Sequence, residues 1–203
     1  MTTTFFLVRH AAHDRVGTIL CGRMPNVKLG PVGKGQAERL AECLAERLAR
    51  DDVACVCASP LERALETAQP VAASLGQRLH VRDAITEIDY GRWTGMSFDA
   101  LGQDPLWLSW NCSRSTSRPP DGETMLEAQA RIVGVMEQLR SLHAGRAVVL
   151  VSHGDVIKAA LLYHLGMPID AYDRIDVEPA SISTLVVGDW GSKVLRLNEV
   201  AGP

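Results

Sequence analysis

The chain has 203 residues, 46% hydrophobic and 22% charged, with a formal net charge of −3. That is enough apolar material for one well-packed domain. It excludes a basic nucleic-acid binder, because no Lys/Arg block exceeds a few residues, and a helical membrane span, because no apolar run approaches about 18 residues.

In chain order, Phe5-Phe6-Leu7-Val8 is a short apolar run, as in a buried parallel strand, and it stops at Arg9-His10. From Gly35 the period changes. Ala37, Leu40, Ala41, Leu44, Ala45 and Leu48 predict an amphipathic helix. Val53 to Cys57 is the next strand. Ser59-Pro60-Leu61-Glu62 then predicts a helix start, with Ser59 as N-cap, Pro60 at the first helical position and Glu62 completing a capping box. That helix carries Ala64, Leu65 and Ala68 and is expected to kink near Pro70. A short strand follows at Leu79 to Val81. The stretch 96–122, with Trp107, Trp110 and Pro119-Pro120, reads as an excursion or lid. A helix is predicted from Thr124 to Leu142, with Met125, Ile132, Val133, Met136 and Leu139 facing inward. Ala147 to Val151 is a strand ending at Ser152-His153-Gly154, and a helix runs on to Leu165. Ile182 to Val187 and Lys193 to Leu197 predict a closing hairpin turned at Asp189 to Gly191. Alternating strands and helices point to an α/β three-layer sandwich with a mostly parallel central sheet, one domain over 1–203.

Met1 to Phe6 has no basic leader region, and the cysteines, Cys21, Cys43, Cys55, Cys57 and Cys112, are odd in number and unevenly spaced. Both features predict a cytoplasmic protein with reduced thiols. Cys55 and Cys57 lie two apart on a strand, so they share a face and read as core thiols rather than a metal pair.

The chemistry gathers past the carboxyl ends of the strands, where open parallel sheets place their ligand crevice. The first strand delivers Arg9 and His10. The second leads into the helix bearing Arg63, and the strand at 147–151 delivers His153. Two arginines and two histidines suit a phosphate or phosphoryl group. Arg63 falls in the first turn of its helix, where the helix dipole disfavours a cation by about 0.3–1 kcal/mol. It is either a solvated side chain or one that faces a bound anion. Surrounding cations keep an imidazole such as His10 neutral, and a neutral ring nitrogen can attack phosphorus.

Leu7-Val8-Arg9-His10, Ser59-Pro60-Leu61-Glu62-Arg63-Ala64, Glu87-Ile88-Asp89-Tyr90-Gly91-Arg92-Trp93-Thr94-Gly95 and Val151-Ser152-His153-Gly154 together resemble the histidine phosphatase superfamily, which includes the cofactor-dependent phosphoglycerate mutases. Each motif alone is weak; four in order are specific. The resemblance implies a phosphoglycerate mutase-like fold and transient phosphorylation of His10. It further implies that Arg9, Arg63 and His153 hold the phosphoryl oxygens and that Glu87 acts as general acid and base, with no metal and no cofactor. Gly22-Arg23 resembles a further Gly-Arg step of the family, so Arg23 is expected to reach the phosphoryl group. The chain departs from the family pattern at Arg9-His10-Ala11-Ala12-His13, where many members read Arg-His-Gly-Glu-Thr. It also has Val16 where mutase-like members place Asn.

These features favour a phosphomonoesterase acting on a small phosphorylated metabolite, with neither nucleic acid nor membrane as partner. A phosphomutase is the nearest alternative. A non-catalytic phospho-ligand-binding protein would usually lack His10 or Glu87. A metal hydrolase using His10, His13, His153 and Asp155 would have to place its cation beside Arg9.

Overall fold

The computed structural model describes residues 1–49 and 52–201. Six strands form one sheet in the order β3-β2-β4-β1-β5-β6. They are β1 Thr2–Arg9, β2 Val53–Ala58, β3 Leu79–Val81, β4 Ala147–Ser152, β5 Ser181–Gly188 and β6 Gly191–Val200. β1, β2, β3 and β4 pair in parallel, whereas β5 and β6 close the sheet antiparallel at one edge. The expected hairpin is therefore present as that edge.

Alternation along the central strands builds two cores. Phe5, Leu7, Cys55, Cys57, Val148 and Leu150 face one side and pack on α5 (Met125–Leu142) and α6 (Gly154–His164). Phe6, Val8, Val56, Val149 and Val151 face the other and pack beneath α1 (Pro31–Arg47) and α2 (Glu62–Ser74). Strands covered on both faces need near-continuous apolar runs, which is why β1, β2 and β4 are so readable. Cys55 and Cys57 share one core face, as their spacing predicts.

Several helix boundaries differ from the sequence reading. α1 starts at Pro31, four residues before Gly35; Gly33 lies inside it because a Cβ there would overlap the Ala12 carbonyl. α2 starts at Glu62, not after a Ser59 cap, and its N-cap Leu61 has no side-chain cap bond. The Ser59 hydroxyl accepts from the Leu61 N–H at 3.3 Å, ahead of the helix, and meets His153 Nε2 at 2.7 Å. α2 also runs through Pro70 without ending. Its Ala64, Ala68, Val71 and Ala72 are buried against the sheet, and that packing offsets the one lost helix bond. The capping box in this chain is at Thr124 and Glu127, opening α5. On α5, Val135 rather than Val133 belongs to the fully buried stripe.

Segment 96–122 contains α3 (Phe98–Leu101) and α4 (Pro105–Cys112). Trp110 is fully buried, and Trp107 and Trp110 both pack edge-on against Trp93, with ring centroids 5.4 and 6.3 Å away. Gly91 and Gly95 on either side of Trp93 adopt φ of +51° and +89°, and a Cβ on Gly91 would overlap the Pro120 carbonyl. Only glycine fits there without strain. The excursion is thus anchored to the body through the Gly-Arg-Trp-Thr-Gly turn.

Candidate active site

Strand register sets the site. Arg9 pairs with Ser152, and Val151 lies between Val8 and Ala58. His10, His153 and Ser59 therefore emerge side by side where three parallel strands end. The ladder continues one step beyond the strands, since His10 N–H donates to Ser152 O at 2.9 Å and Ser59 N–H to Val151 O at 3.0 Å.

His10 is 3% exposed. Its Nδ1 stands 2.9 Å from the Ala11 carbonyl, which can only accept, so Nδ1 carries the proton. Nε2 is left with its lone pair, 3.2 Å from Arg63 Nε. Burial, then Arg63 and Arg9, hold the ring's pKa well below 6.5. His10 is a neutral imidazole with a fixed tautomer, and its Nε2 lone pair accepts from Arg63 Nε–H. His13 stacks on it at 5.5 Å, and burial and the same arginines lower its pKa to about 4.

Arg63 is 1% exposed, which overturns the solvated reading. Its NH2 donates to the Gly22 carbonyl at 2.7 Å and lies 3.3 Å from His153 Nδ1. Thr67, one turn on, accepts from the Ala11 N–H and donates to the Arg63 carbonyl, tying the His10 loop to α2. Arg9 NH1 donates to Val177 O at 2.6 Å. Arg63 NH1 and Arg9 Nε are buried with no partner in the protein. Buried guanidinium N–H groups are costly to leave unpaired, and both arginines line one cavity of about 390 Å³ together with His10, His13, Glu87 and Gly154.

His153 is fully buried at the N-terminus of α6, its ring 5.1 Å from His10. Burial, then Arg63 and His10, keep it neutral. Its Nε2 meets Ser59 Oγ, and a hydroxyl can accept or donate. Because Arg63 NH2 can only donate to Nδ1, His153 carries its proton on Nε2 and gives it to Ser59 Oγ.

Glu87 lies opposite, with Oε2 3.8 Å from His153 Nδ1 and Oε1 accepting from Ile88 N–H at 2.8 Å. Burial and then the Asp155 charge raise its pKa from 4.5 to about 7, against the opposing pull of Arg63 and Arg9. Burial wins, and the carboxyl is poised between acid and base near neutrality.

Arg23 is placed otherwise than expected. Its Nε donates to the Glu87 backbone carbonyl at 2.8 Å, and its NH2 bonds Glu123 at 3.0 Å. Asp89 stands 3.5 Å from NH1. With three acceptors of its own, it holds the Glu87 loop rather than lining the cavity. Arg131 supports the same loop from α5 by donating to the Ala84 and Glu87 carbonyls.

Behind Glu87 lies a network that sequence reasoning missed. Tyr90 OH donates to Asp155 Oδ2 at 2.7 Å, and Arg114 NH1 donates to the same oxygen at 2.8 Å. Arg114 is 4% exposed and sits over the Trp110 and Tyr172 rings, at 4.7 and 3.7 Å. No spacing rule links 90, 114 and 155. Among the described residues, no three His, Cys, Asp or Glu side chains form a group suited to a metal ion.

Two guanidiniums with unspent N–H groups, two neutral imidazoles and one neutralisable carboxyl gather at the carboxyl edge of an α/β sheet, a set of groups with the chemistry to hold a phosphoryl group. The chain belongs to the histidine phosphatase superfamily (branch 1), whose family model matches residues 5–200. An uncharacterized protein of Mycobacterium tuberculosis is 35% identical over 191 residues, covering 91% of this chain and 90% of its own. Phosphoserine phosphatase 1 of Hydrogenobacter thermophilus is 27% identical over 194 residues, covering 95% and 90%. Among solved structures, a phosphoserine phosphatase of Entamoeba histolytica in complex with phosphoserine aligns with a TM-score of 0.86 at 23% identity, covering 98% of each chain. A mycobacterial glucosyl-3-phosphoglycerate phosphatase aligns with a TM-score of 0.86 at 24% identity, covering 98% and 99%. At those identities the structural matches establish the phosphoglycerate mutase-like fold. Phosphatase activity is what the family and its phosphatase relatives support.

Proposed function

We propose that this chain is a phosphomonoesterase that works through a phosphohistidine on His10 and takes a small phosphorylated metabolite. The observation that carries this reading is the fixed tautomer of His10, whose Nε2 lone pair accepts from Arg63 Nε–H in a cavity also lined by two unpartnered guanidinium groups, Arg63 NH1 and Arg9 Nε.

In the first step Nε2 attacks phosphorus and the ester P–O bond breaks. The leaving oxygen takes the proton of Glu87. Arg9, Arg63 and His153 spread the charge of the transferring group, His153 donating from Nδ1 once the phosphoryl group draws Arg63 NH2 away from that nitrogen and Ser59 donates to Nε2. In the second step the Glu87 carboxylate takes a proton from water, the oxygen attacks phosphorus, and the P–N bond breaks. Phosphate leaves, with His10 neutral again and Glu87 again protonated. The residues in these steps supply the nucleophile, the proton and the charge stabilisation, and no metal enters the scheme.

The test is hydrolysis of a phosphomonoester panel by wild type and His10→Ala, before and after exhaustive chelation. Wild-type activity survives chelation, and His10→Ala loses turnover while keeping its unfolding midpoint within a few degrees. Wild-type rates in His10→Ala, or activity lost on chelation and restored by one divalent metal, would overturn the proposal.

A further inference from the structure

The His10 ring has two imidazole neighbours, His153 at 5.1 Å and His13 at 5.5 Å. His153 has a task in the two steps above; His13 has none. Yet His13 is held firmly in place. The loop that carries it leaves β1 under three ties. Ala11 N–H donates to Thr67 Oγ1 and Ala12 N–H to Gln36 Oε1, each at 2.9 Å, and His13 itself bridges to Leu29. Its Nδ1 accepts from the Arg15 N–H at 3.3 Å. A backbone N–H can only donate, so the proton of the neutral ring sits on Nε2. Nε2 lies across the ring from Nδ1, away from the loop, and the ring lines the phosphoryl cavity. Among the described residues nothing accepts that proton.

The ring also overhangs the reacting edge of His10. A stack with centroids 5.5 Å apart and planes 28° apart is an offset one, lying over one edge of the neighbouring ring. The Nδ1 edge of His10 is taken up by the Ala11 carbonyl. The charge that acts most on His13 is that of Arg63, whose Nε meets His10 Nε2 at 3.2 Å. Arg9 and Arg15 act in the same sense, and Asp14 acts in the opposite one from beside Gly30. With burial these charges keep the ring neutral near pH 7, so it offers a donor without adding a charge.

We propose that His13 is a further catalytic residue of this site, donating from Nε2 to an oxygen of the transferring phosphoryl group alongside Arg9, Arg63 and His153. As His10 Nε2 takes the phosphoryl group, its oxygens fan out around phosphorus, and the His13 donor meets the one on its side of the His10 ring. This rests on the phosphatase reading above and adds one residue to it.

Two variants separate the ring from its proton. His13→Phe keeps a ring against His10 and removes the donor; His13→Gln keeps an N–H at similar reach and removes the ring. The readouts are kcat/KM for glycerol 3-phosphate and nitrophenyl phosphate and the inhibition constant of vanadate, which mimics the five-coordinate phosphoryl group. A hydrogen bond to a charged group is worth about 10- to 100-fold. His13→Phe should weaken vanadate and slow both substrates by that factor, in equal ratio because the phosphoryl group is common to both. His13→Gln should recover most of the loss. In both variants kcat/KM for glycerol 3-phosphate should still fall as pH rises through about 7, where Glu87 loses its proton. An inhibition constant does not depend on how much of a preparation is folded. Vanadate binding unchanged in His13→Phe, or as weak in His13→Gln as in His13→Phe, overturns the assignment, and wild-type turnover of either ester then leaves the phosphatase reading standing. No turnover of either ester by wild type overturns both.

Discussion

Replacing Glu87 by Gln tests the acid–base assignment from two directions. Gln keeps an oxygen to accept the Ile88 N–H and nearly the same volume, so the loop has no steric reason to move. In wild type the carboxyl pKa rises from 4.5 to about 7, chiefly through burial, which corresponds to about 3 kcal/mol of preference for the neutral form. The kinetic consequence is an alkaline limb. The acid form of Glu87 is depleted as pH rises through about 7, so kcat/KM for an alkyl phosphate should fall there. Glu87→Gln should remove that limb and slow the alkyl phosphate by about 10²–10⁴-fold. Nitrophenyl phosphate, with a far weaker base as leaving group, should slow by less.

The stability consequence has a definite sign. The folded state binds this proton more tightly than the unfolded chain, so the stability it contributes is full below about 4.5 and is lost as pH rises through about 7. Urea unfolding should therefore find Glu87→Gln more stable than wild type at pH 8, by up to about 3 kcal/mol, and without that gain at pH 4. Equal rate losses on the two substrates, with no stability gain at pH 8, would refute the reasoning.

Arg114→Met leaves Asp155 with Tyr90 as its remaining donor. Breaking a buried ion pair costs about 3–5 kcal/mol, and since the Asp155 side chain is 23% exposed, urea unfolding should show a loss near the lower value. Ser59→Ala removes the partner of His153 Nε2. It should cost about 1–3 kcal/mol and slow alkyl and nitrophenyl phosphates in equal ratio, because His153 acts on the phosphoryl group common to both.

The parts of the site that could be read from sequence are those fixed by strand ends. β1 and β4 are buried on both faces, so their apolar runs show where they stop, and Arg9, His10 and His153 stand at those stops. Arg63 could be placed on its helix, but burial, which decides its role, depends on how α2 lies on the sheet. Ser59 was misleading because Ser-Pro-x-Glu is a good local cap signal, and a tertiary contact with His153 prevailed over it. Arg23 was misplaced because a Gly-Arg step does not show which acceptors surround it. Glu123 approaches it from 100 positions away. The Tyr90–Asp155–Arg114 network was invisible for the same reason, since two loops and the first turn of α6, which share no periodicity, meet only in the fold. The pKa of Glu87 depended on burial against nearby arginines, and only their relative placement decides between the two.

Rapid quenching of the enzyme with a phosphorus-labelled substrate tests the central claim most directly. The account predicts a burst approaching one phosphoryl group per chain in Glu87→Gln, where water is poorly activated. The label should be acid-labile and base-stable, mapped to His10, and missing from His10→Ala. Turnover by wild type with no such intermediate in Glu87→Gln, or a label on any other residue, would contradict it.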